Sequence, residues 1–327
     1  MKLSIVIPFY NLENYVHESV DSILAACEKI AGTEKVQIVC VDDGSTDATA
    51  KILDEYSAKV ADREDLAFEV VHKPNGGEGS ARNAGLERIS GDWFMFLDGD
   101  DVVSADLLRV VLGAMGVNPQ VDILSFGSRQ FDDGSAPLFD SELRSSRLVD
   151  CRLKIPDALG MIGVWQLVYR REKFGDLRFA RYKLGADLVY TSKCFAVADS
   201  VLALEFVGHG YRRRMGSALR SKMTFAKALD GIGFREEMFG SLAESGKRLG
   251  RVFTQSRGNS WIRDYVRKID RLPASERPMV FRRWLESLER AKKMPFFSLW
   301  QKFSIGLLLT TKSYFVAKLL HKIRVPF

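Results

Sequence analysis

Three acidic residues stand within four positions at the end of an apolar run. In "FMFLDGDDVV", which covers residues 94–103, the run leads into Asp98, Asp100 and Asp101. Carboxylates this close raise one another's pKa and destabilise the folded state, so a positive charge is expected among them. Hard divalent cations take carboxylate oxygens as ligands, and the pattern therefore predicts a divalent cation at this point.

Two further acidic clusters occur at predicted element ends. "VDDGSTD" places Asp42 and Asp43 after an apolar run, and "LGADLVY" places Asp187 at the start of a helical pattern. Parallel strands all point one way, so the clusters at 42–43 and 98–101 should meet at one edge of a sheet. Open α/β sheets bind ligands outside that edge, and the sequence thus predicts an acid-rich crevice of the kind that binds nucleotides.

The elements that must position these acids alternate between strand and helix. Over about the first 125 residues, continuous apolar runs such as "LSIVIPF" are followed by helical patterns. Short links between them predict an α/β fold with a mostly parallel, doubly wound (Rossmann-like) sheet. The pattern is irregular from residue 129 to 151, and from residue 218 it is helical and basic. We therefore predict domains at 1–217 and 218–327, the first divided near residue 128.

Charge is distributed unevenly along the chain. The net charge is +6, yet residues 1–208 hold 22 Lys and Arg against 33 Asp and Glu, whereas residues 209–327 hold 26 against 9. A strongly basic C-terminal part is typical of proteins that meet nucleic acid, anionic lipid or an anionic substrate.

Cysteine spacing and apolar run lengths favour a cytoplasmic protein. The four cysteines form no C-x-x-C pair, so no zinc site is expected, and three of them lie in apolar patterns typical of reduced core residues. No uncharged apolar run reaches the roughly 18 residues of a membrane span. The chain begins with a strand pattern, so no signal peptide is expected.

Several segments together resemble one enzyme family. "SIVIPFYN", "VDDGSTD", "NGGEGSARNAGL" and "FLDGDD" have the order and spacing found in family 2 glycosyltransferases, which have the GT-A fold. "WQLVYRREKF", "GADLVY" and "YRRRMGS" are similar to later segments of the bacterial cell-surface polysaccharide enzymes of that family. The resemblance covers roughly residues 1–217 and leaves the basic tail outside.

The resemblance implies transfer of a sugar, with inversion, from a nucleotide-diphosphate sugar to an acceptor hydroxyl. The donor is usually a UDP-sugar. For this chain it implies a hexosyl- or N-acetylhexosaminyltransferase of polysaccharide or lipopolysaccharide synthesis, with a glycan or a lipid-linked acceptor.

The resemblance also assigns roles to the acids. Asp98 and Asp100 match the two acids of the DxD motif, which, with Gly99 between them, contacts the nucleotide sugar and binds Mn²⁺ or Mg²⁺ as a Lewis acid for the leaving group. Asp187 matches the catalytic base, although Ala186 stands where the family usually has Glu. A helix cap is the alternative role for Asp187.

Further residues are candidates for contact with the nucleotide. Pro8 and Tyr10 end the first strand, where a base could stack on the aromatic ring, and Asp43 could accept the N3–H of uracil. Helix capping is the alternative for Asp43. Arg212 and Arg214 in "YRRRMGS" could clamp phosphate as planar donors, against the alternative of a solvated basic run.

The C-terminal segment mixes aromatic, aliphatic and basic residues. In "MPFFSLWQKFSIGLLLTTKSYFVAKLLHKIRVPF" lysines recur too often for a membrane span. The segment predicts an amphipathic surface that brings the protein to the inner face of the cytoplasmic membrane as a peripheral protein. A packed pair of helices with lysines facing water is the alternative.

Other functions fit the sequence less well. A metal-dependent phosphatase of the haloacid dehalogenase type would carry its acidic motif near the N-terminus, and a nucleotidyltransferase would have a Gly-rich, Arg-bearing first loop. A nucleic-acid-binding protein would use the basic tail, but its acidic crevice would repel phosphate backbones. We therefore expect no nucleic-acid partner.

Overall fold

The computed structural model describes residues 2–156, 163–214, 222–263, 265–295 and 297–322. The chain forms two compact units. The first consists of Met1–Asp150, Gly163–Arg181 and Ala198–Ser217, and the second of Cys151–Ile162, Tyr182–Val197 and Ala218–Phe327. Residues 151–156 and 182–197, which the predicted division placed before residue 217, thus group with the C-terminal helices. The division of function between the two predicted domains stays a prediction.

The strands and helices alternate over the first part of the chain. In chain order the strands are β1 (Leu3–Phe9), β2 (Val36–Asp42), β3 (Leu66–His72), β4 (Trp93–Phe96), β5 (Val102–Val103), β6 (Ile123–Asp132), β7 (Ser146–Asp150), β8 (Lys154–Ile155), β9 (Leu167–Arg170), β10 (Ser200–Arg213) and β11 (Arg248–Leu249). The helices are α1 (Val16–Glu28), α2 (Thr49–Lys59), α3 (Glu78–Leu86), α4 (Leu107–Val117), α5 (Arg171–Phe174), α6 (Ala186–Val197), α7 (Phe225–Glu244), α8 (Arg251–Ile262), α9 (Tyr265–Asp270), α10 (Arg277–Lys292), α11 (Leu299–Thr311) and α12 (Tyr314–Lys322). A short 3₁₀ helix, Val164–Gln166, precedes β9.

The first unit is built on one large sheet. Within the described residues its strand order is β3-β2-β1-β4-β9-β6-β10-β5, and β7 pairs with β10. Strands β3, β2, β1 and β4 are parallel and are joined through helices α1, α2 and α3. Strand β9 lies antiparallel between β4 and β6. The predicted α/β fold with a largely parallel sheet is confirmed.

Burial explains why the apolar runs form the middle of the sheet. Every residue of β1 and β2 is buried, as expected for strands covered on both faces. Helix α1 packs its apolar face, which includes Val16, Val20 and Ile23, into the same hydrophobic core. Strand β4 ends at Phe96, and the acids follow in a loop in which Asp101 N–H donates to the carbonyl of Asp98 at 3.0 Å.

The second unit is mainly helical, as predicted for the C-terminal part. Its centre contains two fully buried tryptophans, Trp261 on α8 and Trp284 on α10. Trp284 Nε1 donates to the carbonyl of Trp261 at 2.8 Å, and Trp261 Nε1 donates to Ser287 Oγ at 2.9 Å. Phe239 of α7 stacks on Trp261 with 5.4 Å between ring centroids. These contacts satisfy both indole N–H groups while burying the rings.

The last two helices each have a buried and an exposed face. Ile305 and Leu308 of α11 and Ala317 of α12 are fully buried. Large apolar residues on the same helices face outward: Leu299, Phe303, Phe315 and Leu319, with exposed fractions of 88%, 57%, 74% and 50%. None of the helices in the described part of the chain combines the length and the apolar character of a membrane span.

Candidate functional site

The ends of β1, β2 and β4 bring the first two acidic clusters to one edge of the sheet. Asp43 N–H donates to the carbonyl of Phe9 at 2.9 Å, which ties the end of β2 to the end of β1. Gly99 packs against the same strand end: a Cβ atom there would lie 2.5 Å from Phe9 Cδ1 and 2.7 Å from the carbonyl oxygen of Pro8. Only glycine fits this contact, so the residue between the two acids fixes their loop against β1.

Asp98 is paired with a buried arginine. Arg82 of α3 is 1% exposed, and its Nη2 lies 2.5 Å from Asp98 Oδ1 and 2.5 Å from Glu78 Oε1. Its guanidinium also lies over the ring of Phe179, 5.3 Å from the centroid. Burial raises the pKa of Asp98 well above its ordinary value, and Arg82 opposes that rise by favouring the carboxylate.

Asp101 is held in the interior by β10. Its Oδ1 accepts a hydrogen bond from the Arg212 backbone N–H at 2.7 Å, and its Oδ2 lies 3.1 Å from His209 Nε2. The other ring nitrogen of His209 contacts Ser128 Oγ at 2.9 Å. Asp101 and His209 are both almost completely buried. Burial raises the pKa of Asp101, with His209 acting in the opposite direction.

Asp100 is paired with Arg214, whereas Arg212 is engaged elsewhere. Arg214 Nε donates to Asp100 Oδ2 at 2.5 Å. Arg212 is 5% exposed, its Nη2 lies 2.6 Å from Glu18 Oε2, and its Nη1 lies 3.2 Å from Asp133 Oδ1. Its Nε also donates to the Asp100 carbonyl at 2.7 Å. Each acid of the motif therefore has a cation or an imidazole from the protein beside it, and Arg214 is the more accessible of the two arginines predicted to clamp phosphate.

The loop can be tested for its fit to a divalent cation. No group of three or more His, Cys, Asp or Glu is placed to hold a metal ion in the part of the chain that the structure describes. Mg²⁺ and similar hard cations are, however, commonly held by one or two carboxylates, with substrate phosphates and water completing the shell. Asp98 and Asp100 are 17% and 22% exposed and supply such a pair. The residues fit the cation, provided that Arg214 releases Asp100.

Asp43 holds the glycine-rich loop. Its carboxylate accepts hydrogen bonds from Gly76 N–H at 3.0 Å and from Gly77 N–H at 2.7 Å, and it forms an ion pair with Lys73. The side chain is buried. These bonds occupy most of its acceptor positions, so a uracil N3–H would have to share an oxygen with the loop.

Pro8 and Tyr10 differ in their accessibility. Pro8 lies inside β1 and is buried, so its contribution to this edge is the carbonyl against which Gly99 packs. Tyr10 follows the end of the strand and is 47% exposed. Of the two, only Tyr10 presents a ring to a ligand.

Asp187 belongs to the second unit. It lies in the first turn of α6 and is half-buried, and its carbonyl accepts a hydrogen bond from Thr191 Oγ1 at 2.8 Å. Arg257 of α8, in the same unit, interacts electrostatically with it: burial lowers the pKa of Arg257, and the charge of Asp187 partly restores it.

Comparison with known proteins identifies the family. The family model described as "Glycosyl transferase family 2" matches residues 4–178, which is more than half of the chain. The chain belongs to this family. The matched region contains both acidic clusters at the sheet edge and the glycine-rich loop.

Individual relatives support this assignment. Glycosyltransferase GlyA of Streptococcus pneumoniae is 30% identical over 230 residues, covering 67% of this chain and 32% of GlyA. Poly(ribitol-phosphate) beta-glucosyltransferase of Bacillus spizizenii is 35% identical over 108 residues, covering 33% of this chain and 16% of that protein. The chain thus spans about a third of the length of GlyA.

A solved structure confirms the fold. S. aureus TarS 1-349, crystallised in complex with UDP-GlcNAc, superposes with a TM-score of 0.71 at 20% identity, covering 98% of this chain and 91% of that one. The predicted GT-A fold of family 2 is therefore confirmed.

Sequence reasoning missed three residues that interact with the candidate acids. Arg82 lies in the quoted segment "NGGEGSARNAGL", where an arginine one turn into a helix was the available signal. His209 and Arg257 gave no local signal, because their partners Asp101 and Asp187 are distant in sequence.

Proposed function

We propose that this family 2 chain transfers a sugar from a UDP-sugar to an acceptor hydroxyl with inversion at the anomeric carbon. The observation that carries the proposal is the meeting of Asp43, Asp98 and Asp100 at the carboxyl edge of β1, β2 and β4, the usual ligand edge of such sheets. The TarS structure that shares the fold contains UDP-GlcNAc, which supports UDP as the nucleotide.

The loop at 98–100 receives the diphosphate in this proposal. Asp98 and Asp100 would hold Mn²⁺ or Mg²⁺, whose charge stabilises the departing UDP. Gly99 contributes its small size, because the backbone there approaches Pro8 and Phe9 closely. Tyr10, half-exposed at the end of β1, is the surface on which the uracil stacks. Arg214 moves its guanidinium from Asp100 to the phosphates when the donor is bound. Arg212 keeps its ion pairs with Glu18 and Asp133, and its hydrogen bond to the Asp100 carbonyl orients the loop.

Asp187 is the general base of the proposed reaction. It accepts the proton of the acceptor hydroxyl as that oxygen attacks the anomeric carbon on the side opposite to UDP, and this geometry inverts the configuration. A base of this kind must be ionised before the reaction. Arg257 interacts electrostatically with Asp187, in a chain where Ala186 stands in place of the usual Glu.

The acceptor proposed is a hydroxyl of a cell-surface glycan or of a lipid-linked intermediate. One relative is named as a poly(ribitol-phosphate) beta-glucosyltransferase, which supports a polymeric acceptor. A hexose or an N-acetylhexosamine is the sugar class that we propose for transfer.

Helices α11 and α12 are proposed to hold the protein at the inner face of the cytoplasmic membrane. Leu299 and Phe303 stand one turn apart on α11, and Phe315 and Leu319 stand one turn apart on α12; all four are exposed. The region from residue 209 carries 26 basic against 9 acidic residues. Exposed apolar side chains beside an excess of basic charge are typical of helices that bind anionic membranes.

Calorimetric titration with UDP tests the nucleotide and the cation together. We expect UDP to bind in Mn²⁺ or Mg²⁺ and to bind at least tenfold more weakly in excess chelator. Incubation with a panel of UDP-sugars without acceptor should then release UDP slowly from one of them, which names the sugar. Absence of UDP binding under all cation conditions would contradict the proposal, and binding of a purine nucleoside diphosphate in its place would contradict the choice of UDP.

A further inference from the structure

An aromatic pair lies beside the acidic loop and has no role in the function proposed so far. Trp165, in the 3₁₀ helix before β9, stacks on Tyr211 of β10 with 5.6 Å between ring centroids and 24° between planes. The indole also lies next to the imidazole of His209, at 6.3 Å and 31°. Trp165 and Tyr211 are both half-buried.

The position of the indole is fixed by its surroundings. A Cβ atom on Gly163 would lie 2.5 Å from Trp165 Cζ2, so the ring folds over a backbone position that tolerates no side chain. The imidazole of His209, which lies next to the indole, is held in turn by its contacts with Asp101 Oδ2 and Ser128 Oγ. A ring fixed in this way loses little conformational entropy when it contacts a ligand.

The pair borders the place where the donor diphosphate would lie. Tyr211 stands between His209, which contacts Asp101, and Arg212, whose N–H binds Asp101. The pKa of Tyr211 is raised, first by burial and then by the charges of Asp101, Asp98 and Asp100. Tyr211 is thus flanked on β10 by the two residues that contact the buried Asp101.

We propose that Trp165 and Tyr211 form a platform for the ring of the sugar that is transferred. The C–H face of a pyranose is apolar and carries partial positive charge, which suits the negative face of an aromatic ring. The transferred sugar is joined to the diphosphate by a single bond, so a surface next to the diphosphate site is within its reach. This inference rests on the proposed function and adds to it the residues that select the sugar.

Three variants test the platform by calorimetry. Trp165→Leu removes one aromatic face, Trp165→Phe keeps a smaller one, and Gly163→Ala displaces the indole without changing it. Dissociation constants are measured in Mn²⁺ for UDP and for UDP-glucose, UDP-galactose and UDP-GlcNAc. Trp165→Leu should raise the dissociation constant of the tightest-binding UDP-sugar by about tenfold, which is the scale of a lost aromatic contact. It should change the dissociation constant of UDP by no more than about twofold. Trp165→Phe should recover most of the loss, and Gly163→Ala should resemble Trp165→Leu.

Two outcomes would overturn the inference while the proposed function stands. One is a Trp165→Leu protein that melts like the wild type and binds UDP and UDP-sugars as the wild type does. The other is an equal loss of UDP and UDP-sugar affinity, which would mean that the rings only support the acidic loop. If Trp165→Leu does not fold, the same comparison is made with Tyr211→Leu, which removes the other ring and for which a several-fold loss confined to the UDP-sugar is expected. A wild type that binds no UDP would overturn the proposed function and this inference with it.

Discussion

Arg214 Nε lies 2.5 Å from Asp100 Oδ2, so a side chain of the protein neutralises the carboxylate that we propose as a metal ligand. Both side chains are 22% exposed, which places the pair at the boundary between the interior and the solvent. A metal cation and Arg214 cannot both bind the Asp100 carboxylate fully. In the proposed function, a metal would therefore compete with Arg214 for Asp100, and the released arginine would be available to the phosphates.

The first prediction concerns this competition. Arg214→Gln should strengthen Mn²⁺ binding in the absence of nucleotide by several-fold to about tenfold, because the carboxylate loses its competitor. The same variant should weaken the binding of UDP, because a hydrogen-bond donor to the phosphates is lost. Titration of Mn²⁺ followed by electron paramagnetic resonance measures the first effect, and calorimetry measures the second. Arg213→Gln is a matched control, since Arg213 is more exposed and pairs with Asp132. Equal Mn²⁺ affinity in wild type and Arg214→Gln would contradict the competition.

The second prediction concerns the glycine-rich loop. Asp43→Ala removes a buried carboxylate that binds two backbone N–H groups and Lys73. Unpaired buried groups remain behind, so the free energy of unfolding should fall by about 3 kcal/mol. Urea denaturation measures the change, with Asp62→Ala as a control at an exposed position. A change below about 1 kcal/mol would show that the loop does not depend on Asp43.

These two sites illustrate how far the sequence alone could lead. The strand-end acids were predictable, since apolar runs followed by acids place carboxylates at one edge whenever the strands are parallel. Their partners were not: Asp98 pairs with Arg82 of α3 and Asp101 with His209 of β10, and such pairs depend on how distant elements pack. The insertion of β9 between β4 and β6 was also unpredictable, because strand order leaves no periodic signal in sequence. The 3₁₀ helix that leads into β9 places Trp165 beside His209 and Tyr211 of β10.

The third prediction concerns the pH dependence of stability. His72 Nδ1 lies 3.1 Å from Asp42 Oδ2 and its Nε2 lies 3.0 Å from Asp54 Oδ1, and these carboxylates raise the pKa of His72. A raised pKa in the folded state means that the stabilisation is complete below the ordinary value of about 6.5 and is lost as pH rises through the folded-state pKa. His72 is 44% exposed, so screening by solvent should limit the effect to under about 1 kcal/mol.

Urea denaturation at several pH values between about 5 and 9 checks this prediction. The difference in unfolding free energy between wild type and His72→Gln should be largest at the acidic end and should shrink toward the alkaline end. A difference that is constant with pH would show that the imidazole contributes by packing or by neutral hydrogen bonds alone.

The fourth prediction separates the metal ligand from the base. Asp100→Asn should weaken cation-dependent UDP binding and turnover together.

Asp187→Asn should leave UDP and cation binding nearly intact, because a base directed at the acceptor hydroxyl does not contact the phosphates. It should still lower the rate by about 10²–10⁴, the usual contribution of a general base. Asparagine keeps the shape of aspartate and can cap a helix, so a structural Asp187 would tolerate the change. Calorimetry, steady-state assays and thermal melts on both variants are needed, and near-normal turnover of Asp187→Asn would exclude it as the base.

The last prediction concerns the membrane, and the structure determines how it must be tested. Deleting the tail would expose the core of the second unit, because Ile305, Leu308 and Ala317 are buried and Gln301 Nε2 donates to the Thr254 carbonyl at 3.2 Å. Substitution of the exposed face avoids this problem. A variant with Leu299, Phe303, Phe315 and Leu319 all changed to Ser should keep its melting temperature and should lose sedimentation with vesicles that contain anionic lipid.

Binding of the wild type to these vesicles should also weaken with salt, because salt screens the attraction between basic residues and anionic lipid, to which each residue adds about 1 kcal/mol. Serine at Val117 and Leu138, which are 79% and 72% exposed in the first unit, provides the control. If the four-site variant sediments as the wild type does, α11 and α12 do not bind the membrane through this face.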